Sequence, residues 1–138
     1  MQFVINNWYL FLAAAVIIAL LVGQPLRARL SGITTLRPHE AVRIINRENA
    51  VLVDVREAPE YEAGHIPNAL HIPLAGIADA KPLQKLKEKP VVLYCRSGQR
   101  SMQAGSKLRA QGFTQLYNLA GGIGAWQNEN LPVERGRA

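Results

Sequence analysis

The chain has 138 residues, of which 49% are hydrophobic and 19% are charged. This length fits one domain with a short extension, and this composition excludes an intrinsically disordered protein. The net charge of +6 comes without an arginine-rich helix or a basic–aromatic motif, which argues against nucleic-acid binding. The single cysteine cannot form an internal disulfide, which fits a reducing compartment.

The first 26 residues form an uncharged, apolar segment that contains the run WYLFLAAAVIIALLVG. A helix needs about 20 mostly apolar residues to span a bilayer core, which is the length of residues 3–22. No basic residue precedes the run and no small-residue cleavage site follows it, so a cleaved signal peptide is disfavoured. A buried core helix is also disfavoured, because the run has no polar face. We predict a transmembrane anchor over residues 1–26, ended by Gly23 and Pro25, and a linker over residues 27–32.

Arg27 and Arg29 follow the anchor directly. Because basic flanks stay on the cytoplasmic side, they predict a single-pass protein of the inner (cell) membrane, with the N-terminus outside and the rest cytoplasmic. The basic surplus would then lie beside membrane lipid with anionic headgroups. It would also attract a small anionic substrate.

Residues 33–138 alternate between strand patterns and helix patterns. In chain order the patterns are a strand at ITT, a helix at PHEAVRIIN, strands at AVLVDV and around residues 70–72, a helix at LQKLKEK, a strand at VVLY, a helix at SMQAGSKLRAQ and a strand at FTQLYNL. The valine-rich runs are typical of strands that are covered on both faces. The alternation therefore predicts an α/β fold with a central parallel sheet flanked by helices.

Polar residues follow two of these buried strands, where α/β folds place their functional crevice. Asp54 ends AVLVDV, and Cys95 follows VVLY at the start of CRSGQRS. The amides of residues 97–99 can form an anion-binding nest, and the next helix begins near Ser101. With two arginines in the same loop, these donors predict that Cys95 is a thiolate at neutral pH. The alternative is that Cys95 is a small, buried and inert residue.

Three segments in order resemble the signatures of the rhodanese, or sulfurtransferase, family. They are VLVDVREAPEYEAGHIPNALHIP, the loop CRSGQRS, and LYNLAGGIGAWQNENLPV with its paired glycines and downstream tryptophan. The resemblance spans most of residues 33–133 and implies a rhodanese-like domain over residues 33–138, preceded by the transmembrane helix.

The resemblance also implies a role for each matching residue. Cys95 is expected to be the catalytic nucleophile that carries sulfane sulfur as a persulfide. The expected substrate-binding residues are Arg96, Ser97, Gly98, Gln99, Arg100 and Ser101, with amides that hold the sulfur and arginines that neutralise substrate charge. The expected supporting residues are Asp54, Arg56 and His65, and packing roles are expected for Gly121, Gly122 and Trp126.

The implied reaction is transfer of sulfur from thiosulfate or a persulfide donor to a thiophilic acceptor. With one cysteine the chain cannot resolve its own persulfide, so an external thiol or protein acceptor is expected. No cofactor is implied, and no metal site is expected because the cysteine is single and His39, His65 and His71 are scattered.

Two other functions stay open from the sequence. Cysteine-dependent phosphatases use a similar loop, but with five residues between cysteine and arginine rather than the four found here. Such an enzyme also needs an acid, for which Glu57, Glu60 and Glu62 are available. Some domains of this fold are membrane-tethered binding or scaffold modules, although these usually lack the cysteine.

Overall fold

The computed structural model describes the backbone of residues 1–30 and 32–136, and the side chains of residues 1–23 and 32–136. The helices are α1 (Gln2–Asn6), α2 (Trp8–Leu30), α3 (Pro38–Glu48), α4 (Ala58–Ala63), α5 (Lys81–Gln84), α6 (Gln99–Ala110) and α7 (Gly122–Asn128). The strands are β1 (Ile33–Leu36), β2 (Val51–Asp54), β3 (Leu70–His71), β4 (Val91–Tyr94) and β5 (Leu116–Leu119), and a 3₁₀ helix covers Leu74–Asp79.

The five strands form one parallel sheet in the order β1-β5-β4-β2-β3. The central strand, β4, is buried along its whole length. Its side chains alternate between two cores, with Val91 and Leu93 on one face and Val92 and Tyr94 on the other. The predicted α/β fold with a central parallel sheet is therefore confirmed, and both faces of the sheet are covered.

The sheet order places the two polar strand ends side by side. Strand β2 pairs with β4 so that Asp54 lies opposite Tyr94, the residue before Cys95. Strand β5 lies on the other side of β4, with Asn118 opposite Leu93. The loops that follow β2, β4 and β5 therefore meet at one edge of the sheet, which is where parallel α/β folds place their sites.

The N-terminal helix differs from the prediction in length. Gly23 and Pro25 were expected to end it, and this expectation is wrong because α2 continues to Leu30, through most of the predicted linker. Glycine and proline disfavour a helix interior locally, but residues beyond them can resume helical hydrogen bonding. Ser31, in the predicted linker, and residues 137–138, in the predicted domain, lie outside the described residues.

Apolar side chains of the N-terminal segment are exposed rather than packed on the domain. The large hydrophobic residues between Phe3 and Val22 are each more than half exposed. Within the residues whose side chains are described, we find no helix with the length and apolar character needed to cross a membrane. The membrane anchor stays a prediction.

Candidate functional site

Cys95 lies at the bottom of a tight loop between β4 and α6. Its side chain is buried, with 1% of the residue exposed. The Gly98 amide donates a hydrogen bond to Sγ at 3.0 Å, and Ser101 Oγ lies 3.5 Å from the same sulfur. Gly98 has φ = 107°, a left-handed conformation that favours glycine, and this turn directs its amide back towards the sulfur.

These neutral donors control the ionisation of Cys95. Burial by itself raises the pKa of the thiol, because it disfavours the charged form. The Ser101 hydroxyl and the amides of Ser101, Gly98 and Ser97 lie around the sulfur and together lower its pKa by more. The net result is a pKa below the ordinary value of a thiol. The loop therefore shifts the Cys95 thiol towards its ionised form mainly with neutral donors, whereas the sequence had also suggested the two arginines.

Asn118 supports Ser101 from the neighbouring strand and was not identified from the sequence. Ser101 Oγ donates to Asn118 Oδ1 and lies 3.0 Å from the Gly98 carbonyl, which also accepts from Asn118 Nδ2 at 3.4 Å. Both Ser101 and Asn118 are buried. The signal for Asn118 was available in the sequence, since an asparagine in the otherwise buried strand pattern FTQLYNL needs a polar partner.

The two arginines of the loop have different environments. Arg100 makes a bidentate pair with Glu60 of α4, with Nη1–Oε1 at 2.7 Å and Nη2–Oε2 at 2.8 Å. The hydrogen bonds from Arg100 lower the pKa of Glu60 to about 2. Arg96 is exposed, and in the described part of the chain no carboxylate pairs with it. Ser97 and Gln99 are exposed beside it, so the outer side of the loop faces solvent.

Asp54 and Arg56 form a buried ion pair behind the loop. Asp54 is fully buried and Arg56 is 5% exposed. The Arg56 guanidinium donates to both carboxylate oxygens of Asp54, with Nη2–Oδ2 at 2.7 Å, and to the Gly64 carbonyl at 2.6 Å. The pair ties the end of β2 to the turn after α4, and a supporting role for the two residues stays a prediction.

His65 lies in a packing position and not against the cysteine loop. Its ring stacks on Tyr61 with 3.8 Å between ring centroids, and Nδ1 donates to the Tyr61 carbonyl at 2.9 Å. Its backbone forms a two-way bridge with Glu134, with both N–O distances at 2.7 Å. His65 therefore joins α4 to the C-terminal segment.

A cavity of about 450 Å³ lies beside the cysteine loop. Its lining consists of Arg56, Glu60, Ala63, Gly64, Arg96, Ile123, Gly124 and Gln127. A second cavity, of about 500 Å³, is mostly apolar and includes no titratable residue and no residue of the loop. Trp126 lines this second cavity, and its indole donates to the Pro132 carbonyl at 2.8 Å. The first cavity is therefore the candidate substrate site.

Comparison with known proteins agrees with this geometry. The family model for the rhodanese-like domain matches residues 37–129. The chain is 34% identical to the uncharacterized protein YibN of Escherichia coli over 99% of the chain and 97% of YibN. It is 38% identical to the thiosulfate sulfurtransferase GlpE of Pseudomonas fluorescens, over 70% of the chain and 87% of GlpE.

A solved structure shares the same fold. The BH2092 protein of Bacillus halodurans superimposes with a TM-score of 0.67 and 30% identity, covering 83% of this chain and 84% of that protein. The family model covers well over half of the sequence and includes the cysteine loop, the Asp54–Arg56 pair and the paired glycines. The chain therefore belongs to the rhodanese-like family.

Proposed function

We propose that the protein is a sulfurtransferase that moves sulfane sulfur from thiosulfate or a persulfide donor to a thiophilic acceptor, through a persulfide on Cys95. The observation that carries this proposal is the ring of donors around Sγ, with the Gly98 amide at 3.0 Å. These donors stabilise a negative charge on sulfur in a buried site. The similarity to GlpE, a thiosulfate sulfurtransferase, supports the same reaction class.

The reaction proceeds by double displacement. The Cys95 thiolate attacks the outer sulfur of thiosulfate, the S–S bond of the donor breaks, and sulfite leaves with the bonding electron pair. The terminal sulfur of the new persulfide then carries the negative charge. A thiol, cyanide or protein acceptor next attacks that outer sulfur and releases the Cys95 thiolate. Because Cys95 is the chain's single cysteine, the acceptor comes from outside the chain.

The geometry disfavours phosphatase chemistry at the same loop. A cysteine-dependent phosphatase needs an arginine fork free to grip phosphate, and both terminal nitrogens of Arg100 are held by Glu60. It also needs an acid to protonate the leaving oxygen. Glu60 is the carboxylate at the cavity, and with a pKa of about 2 it is ionised at neutral pH.

A pure binding or scaffold role would not need a cysteine whose pKa is lowered.

The N-terminal segment can tether the enzyme to a membrane beside an acceptor. Its support is the uncharged run of 26 residues and the exposure of its large apolar side chains. We expect the full chain to resist alkaline extraction from the inner membrane, and a tag after the last residue to be protected from protease in intact cells. Release at alkaline pH would contradict the anchor, and digestion of the tag would reverse the orientation.

Mass spectrometry tests the sulfur-transfer proposal. Thiosulfate treatment of the purified protein should add one sulfur, about 32 Da, to the peptide that contains Cys95. Cyanide should then remove that mass and yield thiocyanate. An unmodified Cys95 peptide after treatment with both thiosulfate and an alkyl persulfide would contradict the proposed function.

A further inference from the structure

The charges at the mouth of the cysteine site are largely paired before any substrate arrives. Arg56 is bound to Asp54, and the fork of Arg100 is bound to Glu60. Arg96 is the arginine at this mouth for which the described residues supply no carboxylate partner. Once Cys95 is ionised, its negative charge balances that of Arg96. The resting site therefore offers little net positive charge to an incoming anion.

Glu60 pairs with the arginine whose charge a dianionic donor would use in addition to that of Arg96. It accepts both Arg100 bonds at 2.7 and 2.8 Å, about a third of each side chain is exposed, and Glu60 itself lines the cavity. Glu60 also accepts from the Glu57 amide, as part of the capping box that starts α4. The carboxylate is therefore held in place from two sides. The lowered pKa of Glu60, about 2, keeps it ionised in the physiological range.

This arrangement affects donors according to their charge. Thiosulfate is a dianion, and bringing it to an ionised cysteine requires more than one cation at close range. At Arg100 it meets a guanidinium whose positive charge is already offset by the carboxylate of Glu60. A donor with a single negative charge, such as an alkyl persulfide, can pair with Arg96 and leave the Arg100–Glu60 pair intact.

We propose that Glu60 is a specificity-determining residue that occupies Arg100 as an internal anion, so that the site favours monoanionic persulfide-type donors over dianionic thiosulfate. The inference rests on the proposed sulfurtransferase function and specifies its donor class. Glu60 acts through Arg100 and takes no part in breaking or forming bonds to sulfur.

Two donors that differ by one charge test this inference. Thiosulfate and methanethiosulfonate both offer an outer sulfur to the Cys95 thiolate, and they release sulfite and methanesulfinate respectively. Glu60→Gln keeps the size of the side chain and a carbonyl acceptor but removes the charge. We expect this variant to lower KM for thiosulfate about fivefold and to change KM for methanethiosulfonate by less than about twofold. The kcat values should change little, and the thiosulfate effect should shrink as ionic strength rises.

Glu57→Gln is the matched control, because it removes the same charge three residues earlier and does not break the pair with Arg100. It should alter the ratio of the two KM values by less than Glu60→Gln does. If Glu60→Gln leaves that ratio unchanged, or weakens thiosulfate binding, the inference is wrong while the proposed function stands. If neither donor forms a persulfide on Cys95 in the wild-type protein, the inference and the proposed function are both wrong.

Discussion

Replacement of Cys95 by serine is expected to reduce sulfur transfer from thiosulfate by more than about a thousandfold. The hydroxyl of serine fits the same space, and the Gly98 amide and Ser101 can still hydrogen-bond to it. An alcohol has a much higher pKa than a thiol, so the same donors leave the serine hydroxyl protonated and weakly nucleophilic at neutral pH. Among the described residues, no histidine or carboxylate lies within hydrogen-bond distance of Sγ to serve as a base.

The Cys95→Ser experiment is informative because the substitution preserves the loop. Thiocyanate formation from thiosulfate and cyanide measures the activity, and thermal unfolding shows whether the variant stays folded. We expect a Tm close to that of the wild type, since the substitution changes one buried atom. A folded Cys95→Ser variant with substantial turnover would refute the assignment of Cys95 as the nucleophile.

Replacement of Gly122 by alanine is expected to have the largest effect on the fold around the site. Gly122 begins α7 with φ = 59°, a left-handed conformation that an alanine adopts at a cost of about 1–2 kcal/mol. A Cβ atom there would lie 2.2 Å from the Cys95 carbonyl oxygen and 2.6 Å from the Arg96 carbonyl carbon. Both are backbone atoms of the cysteine loop, so the loop itself must move to admit the methyl group.

The combined penalty for Gly122→Ala is about 3 kcal/mol or more, because overpacking adds to the backbone strain. For a domain of this size we expect Tm to fall by about 10–20 °C. Sulfur transfer should also fall, because the methyl group displaces the backbone of Cys95 and Arg96. This displacement disturbs the hydrogen bond of 2.9 Å from the Ile123 amide to the Cys95 carbonyl. Calorimetry and thiocyanate formation measure the two effects.

Gly124 provides the matched control for that substitution. It lies two residues later in α7, and a Cβ there would meet the Arg96 carbonyl oxygen at 3.8 Å, an ordinary contact. Alanine is favoured over glycine within a helix, so Gly124→Ala should leave the stability unchanged or raise it by up to about 1 kcal/mol. Equal losses of Tm in the two variants would show that crowding at the cysteine loop is not the cause.

Local sequence patterns were sufficient to predict the sheet and to place Cys95 directly after a buried strand. The runs AVLVDV and VVLY form β2 and β4, because valine-rich strands buried on both faces leave a simple signal. Because these strands were predicted at the right positions, Asp54 and Cys95 were also correctly placed at the carboxyl ends of β2 and β4. Helix ends were harder to predict, as α2 shows, because one glycine or proline does not decide where a helix stops.

The sequence alone could not predict which side chains pair when they lie far apart along the chain. Arg100 pairs with Glu60 across 40 residues, and Ser101 bonds to Asn118 across 17. Such contacts depend on how α4 and β5 are placed around the loop, which no local period or composition reveals. For that reason the sequence suggested two free arginines beside Cys95, whereas the structure pairs one of them with a carboxylate.

The pH dependence of Cys95 alkylation tests most directly whether the loop holds this sulfur ionised. The chain has one cysteine, so the rate with iodoacetamide reports that thiol alone, in the native protein and in urea. The donors around Sγ lower its pKa, so the native midpoint should lie below that of the unfolded chain. Because the folded pKa is depressed, the stability that ionised Cys95 contributes should be present above the unfolded midpoint and be lost as pH falls through the native midpoint. A native midpoint equal to or above that of the unfolded chain would contradict the proposal that this loop holds a thiolate nucleophile.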